Sequence, residues 1–186
     1  MNSDYGTFDI FRVSIFKGHV KNWQNNKAEL LSMLDDVKPY TEQESDFKTH
    51  HQKGIKPKYT KKLMEVLDGV FCDFEEVFPY AYEIQNVWCQ RYKESEFHGI
   101  HNHGGLGYSM VFYAQFDSKC HRGTSFVAPF LNWLTGNSIV YDADVEEGDV
   151  IFFPSMLLHE CKPVKNNDKE RIIFSLNMNV EEPEPE

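Results

Sequence analysis

The second half of this sequence consists of short apolar segments with no helical pattern between them. After Tyr80, runs rich in Val, Ile, Tyr and Phe alternate with Gly, Pro, Asn and Asp, which is typical of β-strands joined by turns. Many short strands without intervening helices exclude a doubly wound sheet and predict a sandwich or barrel. The predicted strands span residues 83–92, 106–117, 123–128, 137–142, 148–153, 159–164 and 170–180.

The first half of the sequence predicts two helices. Apolar residues recur at helical spacing from His19 to about Val37, and more strongly from Lys61 to Phe78. The second helix is expected to pack on the back of the sheet. The alternating segment Phe8 to Phe16 predicts a strand at the edge of the main sheet, and the polar window from Thr41 to Lys58 predicts a loop.

The length of the chain favours one domain. A chain of 186 residues, 41% of them hydrophobic, can bury one core and would be cramped as two domains. We therefore predict a single mainly β (α+β) domain over residues 1–180, with helical support at 19–78 and a β core at 81–180. The acidic segment 181–186 is predicted to be a disordered tail.

Charge and composition restrict the partners. The net charge of -10 argues against nucleic acid, because binding phosphates needs a basic surface. No long apolar segment or signal peptide supports membrane spanning or secretion. The four cysteines form no Cys-x-x-Cys pair, which favours free thiols in a reducing cytoplasm. Open edge strands of a β-sandwich often support dimers, so a homodimer is one expectation.

Histidines are concentrated at two places in the β half. His98, His101 and His103 lie within six positions, and His159 ends an apolar run. Strand alternation places His101 and His103 on one face and His98 on the opposite face. Imidazoles bind first-row divalent metals, and three ligands that leave positions open are typical of a catalytic site. Two interpretations remain at this point: a metal site formed by His101, His103 and His159, or a polar strand end without a metal.

Arg171 lies twelve positions after His159, inside the predicted strand Glu170–Asn177. An arginine in an apolar strand is costly unless it meets an anion, and its planar guanidinium suits a carboxylate. The simpler alternative is an edge-strand arginine paired with a nearby Asp or Glu.

With these residues in view, the chain resembles the Fe(II)/2-oxoglutarate-dependent dioxygenases, specifically the phage-type members of the prolyl-4-hydroxylase-like branch. The resemblance rests on the aromatic segment Tyr92–Phe97 followed by His101-Asn102-His103, on the strand Gly107–Tyr113, and on His159 with Arg171 about a dozen residues later. It covers roughly residues 81 to 180 and implies a double-stranded β-helix, or jelly roll, with the two N-terminal helices on one sheet.

One position departs from the family pattern. His103 stands where the family usually has a carboxylate, although phage-type relatives resemble this chain in carrying His-x-His. A neutral imidazole leaves the site one unit more positive, which favours anionic ligands and could admit zinc. A nearby Asp or a water could also take the place of His103.

The resemblance implies roles for these residues. His101, His103 and His159 would bind Fe(II), and Arg171 would bind the distal carboxylate of 2-oxoglutarate. Three further side chains would help to bind this cofactor, and three would contact the substrate at the mouth of the site. The cofactor set is Tyr113, Tyr92 and Ser109, and the substrate set is Asn102, His98 and Trp133. For each tyrosine, a purely structural core position is the alternative.

The implied reaction is hydroxylation of a C–H bond by dioxygen, coupled to decarboxylation of 2-oxoglutarate to succinate. The substrate would be a small molecule or a protein, and the phage-type resemblance implies the cytoplasm of an infected bacterial host. Two other classes stay open: a three-histidine cupin-like metalloenzyme that does not use 2-oxoglutarate, and a non-catalytic jelly-roll binding or virion-associated protein. Arg171 distinguishes the dioxygenase from the cupin-like class, because a cupin of that kind needs no anion-binding arginine at this place. The non-catalytic class would instead show weak metal affinity, unchanged by His159→Ala.

Overall fold

The fold is built from two antiparallel sheets and two helices. The computed structural model describes residues 13–34, 40–41, 48–49, 57–78, 80–105, 107–163 and 169–181. The helices are α1 (Trp23–Ser32) and α2 (Thr60–Val77). The strands are β1 (Phe16–His19), β2 (Tyr40–Thr41), β3 (Lys48–Thr49), β4 (Tyr82–Tyr92), β5 (His98–His101), β6 (Tyr108–Gln115), β7 (Ser125–Leu131), β8 (Ser138–Asp142), β9 (Asp149–Pro154), β10 (Leu158–Cys161) and β11 (Arg171–Val180).

The strands form a major and a minor sheet. The major sheet has the order β1-β9-β6-β11-β4-β3-β2, and the minor sheet has the order β5-β10-β7-β8. All of these pairings are antiparallel. Consecutive strands of the chain repeatedly alternate between the two sheets, which is the jelly-roll topology that the family resemblance implied.

The major sheet is buried on both faces, and this explains its continuous apolar strands. In β6, Met110 and Phe112 belong to a core shared with the helices, while Val111 and Tyr113 belong to a second core shared with the minor sheet. Successive strand residues point to opposite faces, so a strand between two cores needs apolar residues at every position. The second core lies between the sheets and borders the candidate site.

Both predicted helices are present and pack on the outer face of the major sheet. Helix α2 agrees with its predicted range within one residue at each end, and it buries Leu63, Leu67 and Phe74 against the sheet. Helix α1 is shorter than predicted. It is attached by the indole Nε1 of Trp23, which donates to the carbonyl of Ala114 at 3.0 Å. No helix within the described ranges is long and apolar enough to span a bilayer.

Two predictions about the N-terminal half need correction. The edge strand of the major sheet is Phe16–His19, so it begins where the predicted strand ended, and its pairing with β9 runs from Phe16↔Phe152 to His19↔Asp149. Residues 8–12 lie outside the described residues. The window predicted as a loop contributes the two-residue strands β2 and β3, because β3 pairs with the free edge of β4. Residues 50–56 and the tail 182–186 also lie outside the described residues.

A buried carboxylate fastens β1 to the turn before β9. The segment Glu146–Asp149 is a turn, and Asp149 accepts from Lys17 Nζ at 2.9 Å, from His19 Nδ1 at 2.8 Å and from the Glu146 amide at 2.8 Å. Burial alone would raise the pKa of Asp149, but these donors outweigh it and hold the pKa below its ordinary value. The ionised carboxylate therefore stabilises the edge of the major sheet.

Replacing Asp149 with Asn tests this contact. Asp149→Asn should lower the free energy of unfolding at neutral pH by about 2 kcal/mol, because hydrogen bonds to a charged acceptor are lost. A folded-state pKa below the unfolded value adds stability above the unfolded pKa, and this stability is lost as pH falls through the folded pKa. The gap between wild type and variant, measured by urea unfolding, should therefore shrink at strongly acidic pH. Asp68→Asn, at an exposed position of α2, is the control and should unfold like the wild type.

Candidate metal centre

Two histidines of the candidate site are cross-strand neighbours. In the minor sheet β10 lies between β5 and β7, and the register pairs His159 of β10 with His101 of β5. Directly opposed residues in an antiparallel pair point to the same face, so both imidazoles enter the space between the sheets. Their ring centroids lie 4.3 Å apart. The segments that carry His101 and His159 are far apart in the sequence, but they are adjacent in the fold.

His103 is positioned by the short connection between β5 and β6. Its amide donates to the carbonyl of Ser155 at 2.9 Å, which attaches the connection to the end of β9. Gly107 closes the same connection with φ +93, and a Cβ there would lie 2.0 Å from the carbonyl oxygen of Met178. Only glycine fits this position. The His103 ring lies 5.1 Å from that of His101 and 5.0 Å from that of His159.

The three imidazoles have the spacing of a metal site, and hydrogen bonds set the tautomer of two of them. One ring nitrogen from each of His101, His103 and His159 lies within 4.8 Å of the other two. The Nδ1–H of His101 donates to the Gly99 carbonyl at 2.7 Å, and that of His159 donates to the Leu157 carbonyl at 2.8 Å. Because a carbonyl only accepts, Nε2 of each neutral ring is left unprotonated and available as a metal ligand. Such backbone acceptors commonly fix metal-binding histidines.

Burial favours the neutral imidazole that a metal requires. His159 is only 4% exposed, and burial lowers its pKa to about 4, with a further contribution from His101. His101 and His103 are half-buried, so the cluster is open on one side. Among the described residues, no Asp or Glu joins this group of ligand atoms. An Asp in place of His103, considered from the sequence, is therefore not found in this part of the chain.

The same cleft contains Arg171, at the start of the central strand β11. Arg171 is 2% exposed, and its guanidinium lies 4.4 Å from the ring centroid of Tyr92, its register partner on β4. It donates to the Arg122 carbonyl at 2.7 Å and to the Cys161 thiol, while its Nε has no hydrogen-bond partner in the described ranges. No carboxylate there forms an ion pair with it. The simpler alternative of an ion-paired edge-strand arginine does not describe this residue.

The three residues expected to help bind the cofactor are all buried near Arg171 or the histidines. Tyr92 and Ser109 line the cleft. Ser109 Oγ donates to Asn177 Oδ1 at 2.9 Å and lies 2.9 Å from Ser155 Oγ, so it also supports the His103 connection.

Tyr113 lies behind the cleft wall instead of in it. Its hydroxyl is 2.8 Å from Thr124 Oγ1 and accepts from the Thr124 amide at 3.0 Å. Thr124 itself lines the cleft. Sequence reasoning missed Thr124 because it lies in a connection that carries no motif.

His98 lies on the opposite side from the one predicted. Strand alternation placed it away from His101, but its ring stacks on that of His101 with centroids 3.8 Å apart. The reason is a β-bulge: His159 pairs with His101 and Cys161 with His98, so three steps on β5 match two on β10. The extra residue turns His98 into the cleft, where burial first, and then the neighbouring imidazoles of His101 and His159 and the guanidinium of Arg171, lower its pKa to about 3.

The structure adds a buried glutamine and places the other substrate candidates outside the cleft. Gln90 Nε2 lies 3.4 Å from His98 Nδ1, and Ser175 Oγ donates to Gln90 Oε1 at 3.1 Å. Neither Asn102 nor Trp133 is among the described residues that line the cleft. Asn102 accepts from the Gly104 amide within its own turn, and Trp133 is 88% exposed.

Comparison with known proteins bears on these observations. Residues 86–177 match the family model described as a putative 2OG-Fe(II) oxygenase. No curated protein matches the chain. The matched range contains all three histidines of the cluster and Arg171.

Solved structures share the fold at low sequence identity. A prolyl-4-hydroxylase from Pseudomonas putida is 11% identical with a TM-score of 0.63, covering 91% of this chain and 94% of that chain. HygX from Streptomyces hygroscopicus, with nickel and 2-oxoglutarate bound, is 10% identical with a TM-score of 0.70, covering 90% of this chain and 83% of that chain. The viral collagen prolyl hydroxylase of Paramecium Bursaria Chlorella virus-1 is 13% identical with a TM-score of 0.60, covering 90% and 96%. These similarities confirm the predicted jelly roll with two supporting helices.

Removing one histidine tests whether the cluster binds a metal. We expect His159→Ala to weaken binding of Fe(II), or of Co(II) as a spectroscopic probe, by more than the roughly 10- to 100-fold that loss of a supporting group costs. Anaerobic calorimetric titration would measure the change. His121→Ala is the matched control, because His121 is also buried but bonds to the Lys169 carbonyl outside the cluster. Equal affinity in wild type and His159→Ala would exclude His159 as a ligand.

Proposed function

We propose that this chain, which residues 86–177 identify as a 2OG-Fe(II) oxygenase, hydroxylates a C–H bond of its substrate. In the balanced reaction, 2-oxoglutarate, dioxygen and R–H give succinate, carbon dioxide and R–OH. The observation that carries the proposal is the buried Arg171, which has no carboxylate partner among the described residues and shares a cleft with three convergent imidazoles. The family match confirms the resemblance and the dioxygenase class; the hydroxylation is our inference.

The donor set fits the cofactors of this family. Neutral imidazoles suit Fe(II), and three protein ligands leave coordination positions open for a 2-oxo acid and for dioxygen. Iron bound in this way would supply the oxidising chemistry, whereas the protein positions the reactants and limits the access of water. His101 and His159 contribute preset Nε2 atoms, and His103 completes the set from the connection attached to Ser155.

Arg171 is the proposed site for the distal carboxylate of 2-oxoglutarate. Burying a guanidinium is expensive, and burial lowers the pKa of Arg171 from its ordinary value. Its present partners are a carbonyl, a thiol and an aromatic face, none of which carries a formal negative charge. A carboxylate would supply that charge and the planar geometry that guanidinium prefers. The free Nε of Arg171 is one donor available for it.

Thr124 and Tyr113 are proposed to act as a pair beside this carboxylate. Because the Tyr113 oxygen accepts from the Thr124 amide, its own proton can be donated to Thr124 Oγ1. The threonine hydroxyl is then available to donate into the cleft that it lines. Tyr92, whose ring lies against the guanidinium, is proposed to fix the orientation of Arg171 through its aromatic face.

His98 and Gln90 are proposed to form the substrate side of the cleft. Ser175 holds Gln90, and Gln90 in turn donates to Nδ1 of His98. This chain of hydrogen bonds fixes the imidazole of His98 against the face of His101. The half-buried position of His98 leaves it accessible from the open side of the cluster. A substrate with a hydrogen-bonding group near the reacting carbon would suit this arrangement.

Cofactor turnover is the direct test of the enzyme class. Protein loaded anaerobically with Fe(II) and 2-oxoglutarate and then exposed to oxygen should form succinate, because turnover without substrate still consumes 2-oxoglutarate. Mass spectrometry would measure the succinate. His159→Ala should reduce it to the level of free Fe(II), and His121→Ala is again the control. Tight metal binding with neither 2-oxoglutarate binding nor succinate would favour the cupin-like alternative.

A second prediction concerns Arg171 alone. Arg171→Met, which keeps the buried volume, should raise the dissociation constant of 2-oxoglutarate by roughly 10- to 100-fold, because hydrogen bonds to a charged group are lost. Affinity for Fe(II) should change little. Arg91→Met is the matched control, since Arg91 belongs to the neighbouring strand β4 and pairs with Glu170 at 2.6 Å. If Arg171→Met loses iron as readily as 2-oxoglutarate, the arginine is structural.

A further inference from the structure

The β7–β8 hairpin ends in an arm, residues 128–141, whose composition differs from that of the rest of the surface. The arm contains no charged residue, although the chain has a net charge of -10. Its strands extend beyond the last pairing with β10, Leu158↔Val127, so the outer part of the hairpin pairs only with itself in the described ranges. Leu131 is 59% exposed and Val140 48% exposed. The residues that precede them, Phe130 and Ile139, are 49% and 38% exposed. Because successive strand residues point to opposite faces, both faces of the arm carry apolar side chains in contact with water.

The tip of the arm is a preformed turn that presents two apolar side chains. Asn132 Oδ1 accepts from the amides of Leu134 and Thr135 at 3.0 and 3.1 Å, and Gly136, with φ +68, donates back to the Asn132 carbonyl at 2.8 Å. This turn holds Trp133 at 88% and Leu134 at 73% exposure. Tryptophan is one of the residue types that are enriched as anchors in protein interfaces, and here it is exposed on a hydrogen-bonded turn. We call Trp133 and Leu134 the knob.

The base of the same hairpin forms one wall of an apolar groove of about 380 Å³. The groove lies between the hairpin and the start of β1, and its lining includes Ile15, Phe126, Ile139, Tyr141 and Leu157. It shares no lining residue with the metal cleft, and the edge-to-face pair of Phe126, which lines the groove, and Phe153, which lines the cleft, separates the two. A substrate bound in the groove would therefore not reach the metal, which argues against the groove as the reaction site.

We propose that the groove receives the knob of a second copy of this chain, in a two-fold symmetric dimer that exchanges arms. With 88% of its surface exposed, Trp133 does not enter the groove of its own chain. Each chain thus carries both an apolar anchor and an apolar groove. In a two-fold symmetric dimer, the knob of each copy enters the groove of the other, so both contacts form at once. Burial between two arms also accounts for a hairpin that is apolar on both faces.

The charge distribution supports a second copy as the occupant. Two chains that each carry a net charge of -10 repel one another, except where their surfaces lack charge. The stretch from Ser125 to Tyr141 has no charged side chain and supplies most of the groove wall and the whole knob. It is therefore a surface on which two copies can meet without burying like charges.

Sedimentation equilibrium of the full chain tests the dimer. Wild type should be dimeric at micromolar concentrations. Trp133→Ala should raise the dissociation constant at least about 100-fold, because both copies lose an anchor. Val77→Ala is the matched control: Val77 is 65% exposed at the end of α2, away from the arm, and its removal should leave the dimer intact. Circular dichroism would confirm that each variant is folded.

Mixing two variants distinguishes arm exchange from other dimers. Ile139→Asp places a charge in the groove and leaves the knob intact, whereas Trp133→Ala removes the main side chain of the knob and leaves the groove intact. Each variant alone should be monomeric, and an equimolar mixture should dimerise more tightly than either, since one intact contact forms. The emission of Trp133 should shift to the blue on dimerisation, because Trp23 and Trp88 are already buried. A monomeric wild type, or a mixture that dimerises no more tightly than either variant alone, overturns the proposal. If the wild type is monomeric, the groove binds something other than a second copy.

Discussion

The pairing of His159 with His101 across the minor sheet is the contact on which the site depends. Strands β5 and β10 are each four residues long and far apart in sequence, and their register alone brings the two imidazoles to one face. A slip of one residue would turn one imidazole to the outer face and open the cluster. Backbone carbonyls at Gly99 and Leu157 then set both tautomers, so the local chain determines the orientation of the rings as well as their proximity.

The major sheet supplies the second requirement, a cation buried next to that cluster. Arg171 begins a strand that has a partner on each side, β4 and β6, so its backbone is fixed within the sheet. Its guanidinium points into the inter-sheet core, where Tyr92 and Cys161 contact it. An uncompensated guanidinium in such surroundings weakens the fold unless a ligand or dipoles offset it. Its position is more easily explained by function than by stability.

Much of this arrangement can be predicted from the sequence, and the failures have identifiable causes. Helix α2 has a long, strongly periodic pattern, and most strands of the β core are apolar runs bounded by turn residues, which is why their ranges agree closely with prediction; β5, at His98–His101, is the exception and was not among the predicted strands. The histidine cluster could be proposed because alternation and spacing are local properties. The orientation of His98 could not, since it depends on a bulge created by pairing with β10. Thr124 and Gln90 were missed for a related reason: each reaches the cleft through tertiary contacts and belongs to no motif.

The charges of the cluster and of Arg171 together explain why a histidine, His103, can stand in place of a carboxylate. A divalent metal bound by three neutral imidazoles would keep its full charge, and Arg171 adds another positive charge in the same cleft. A dicarboxylate such as 2-oxoglutarate carries two negative charges at its ends, so one can meet the metal and the other the guanidinium. A carboxylate supplied by the protein at either place would cancel one of these positive charges and weaken the attraction for the anion. In the described residues none joins the cluster and none pairs with Arg171, which leaves both positive charges to an incoming anion.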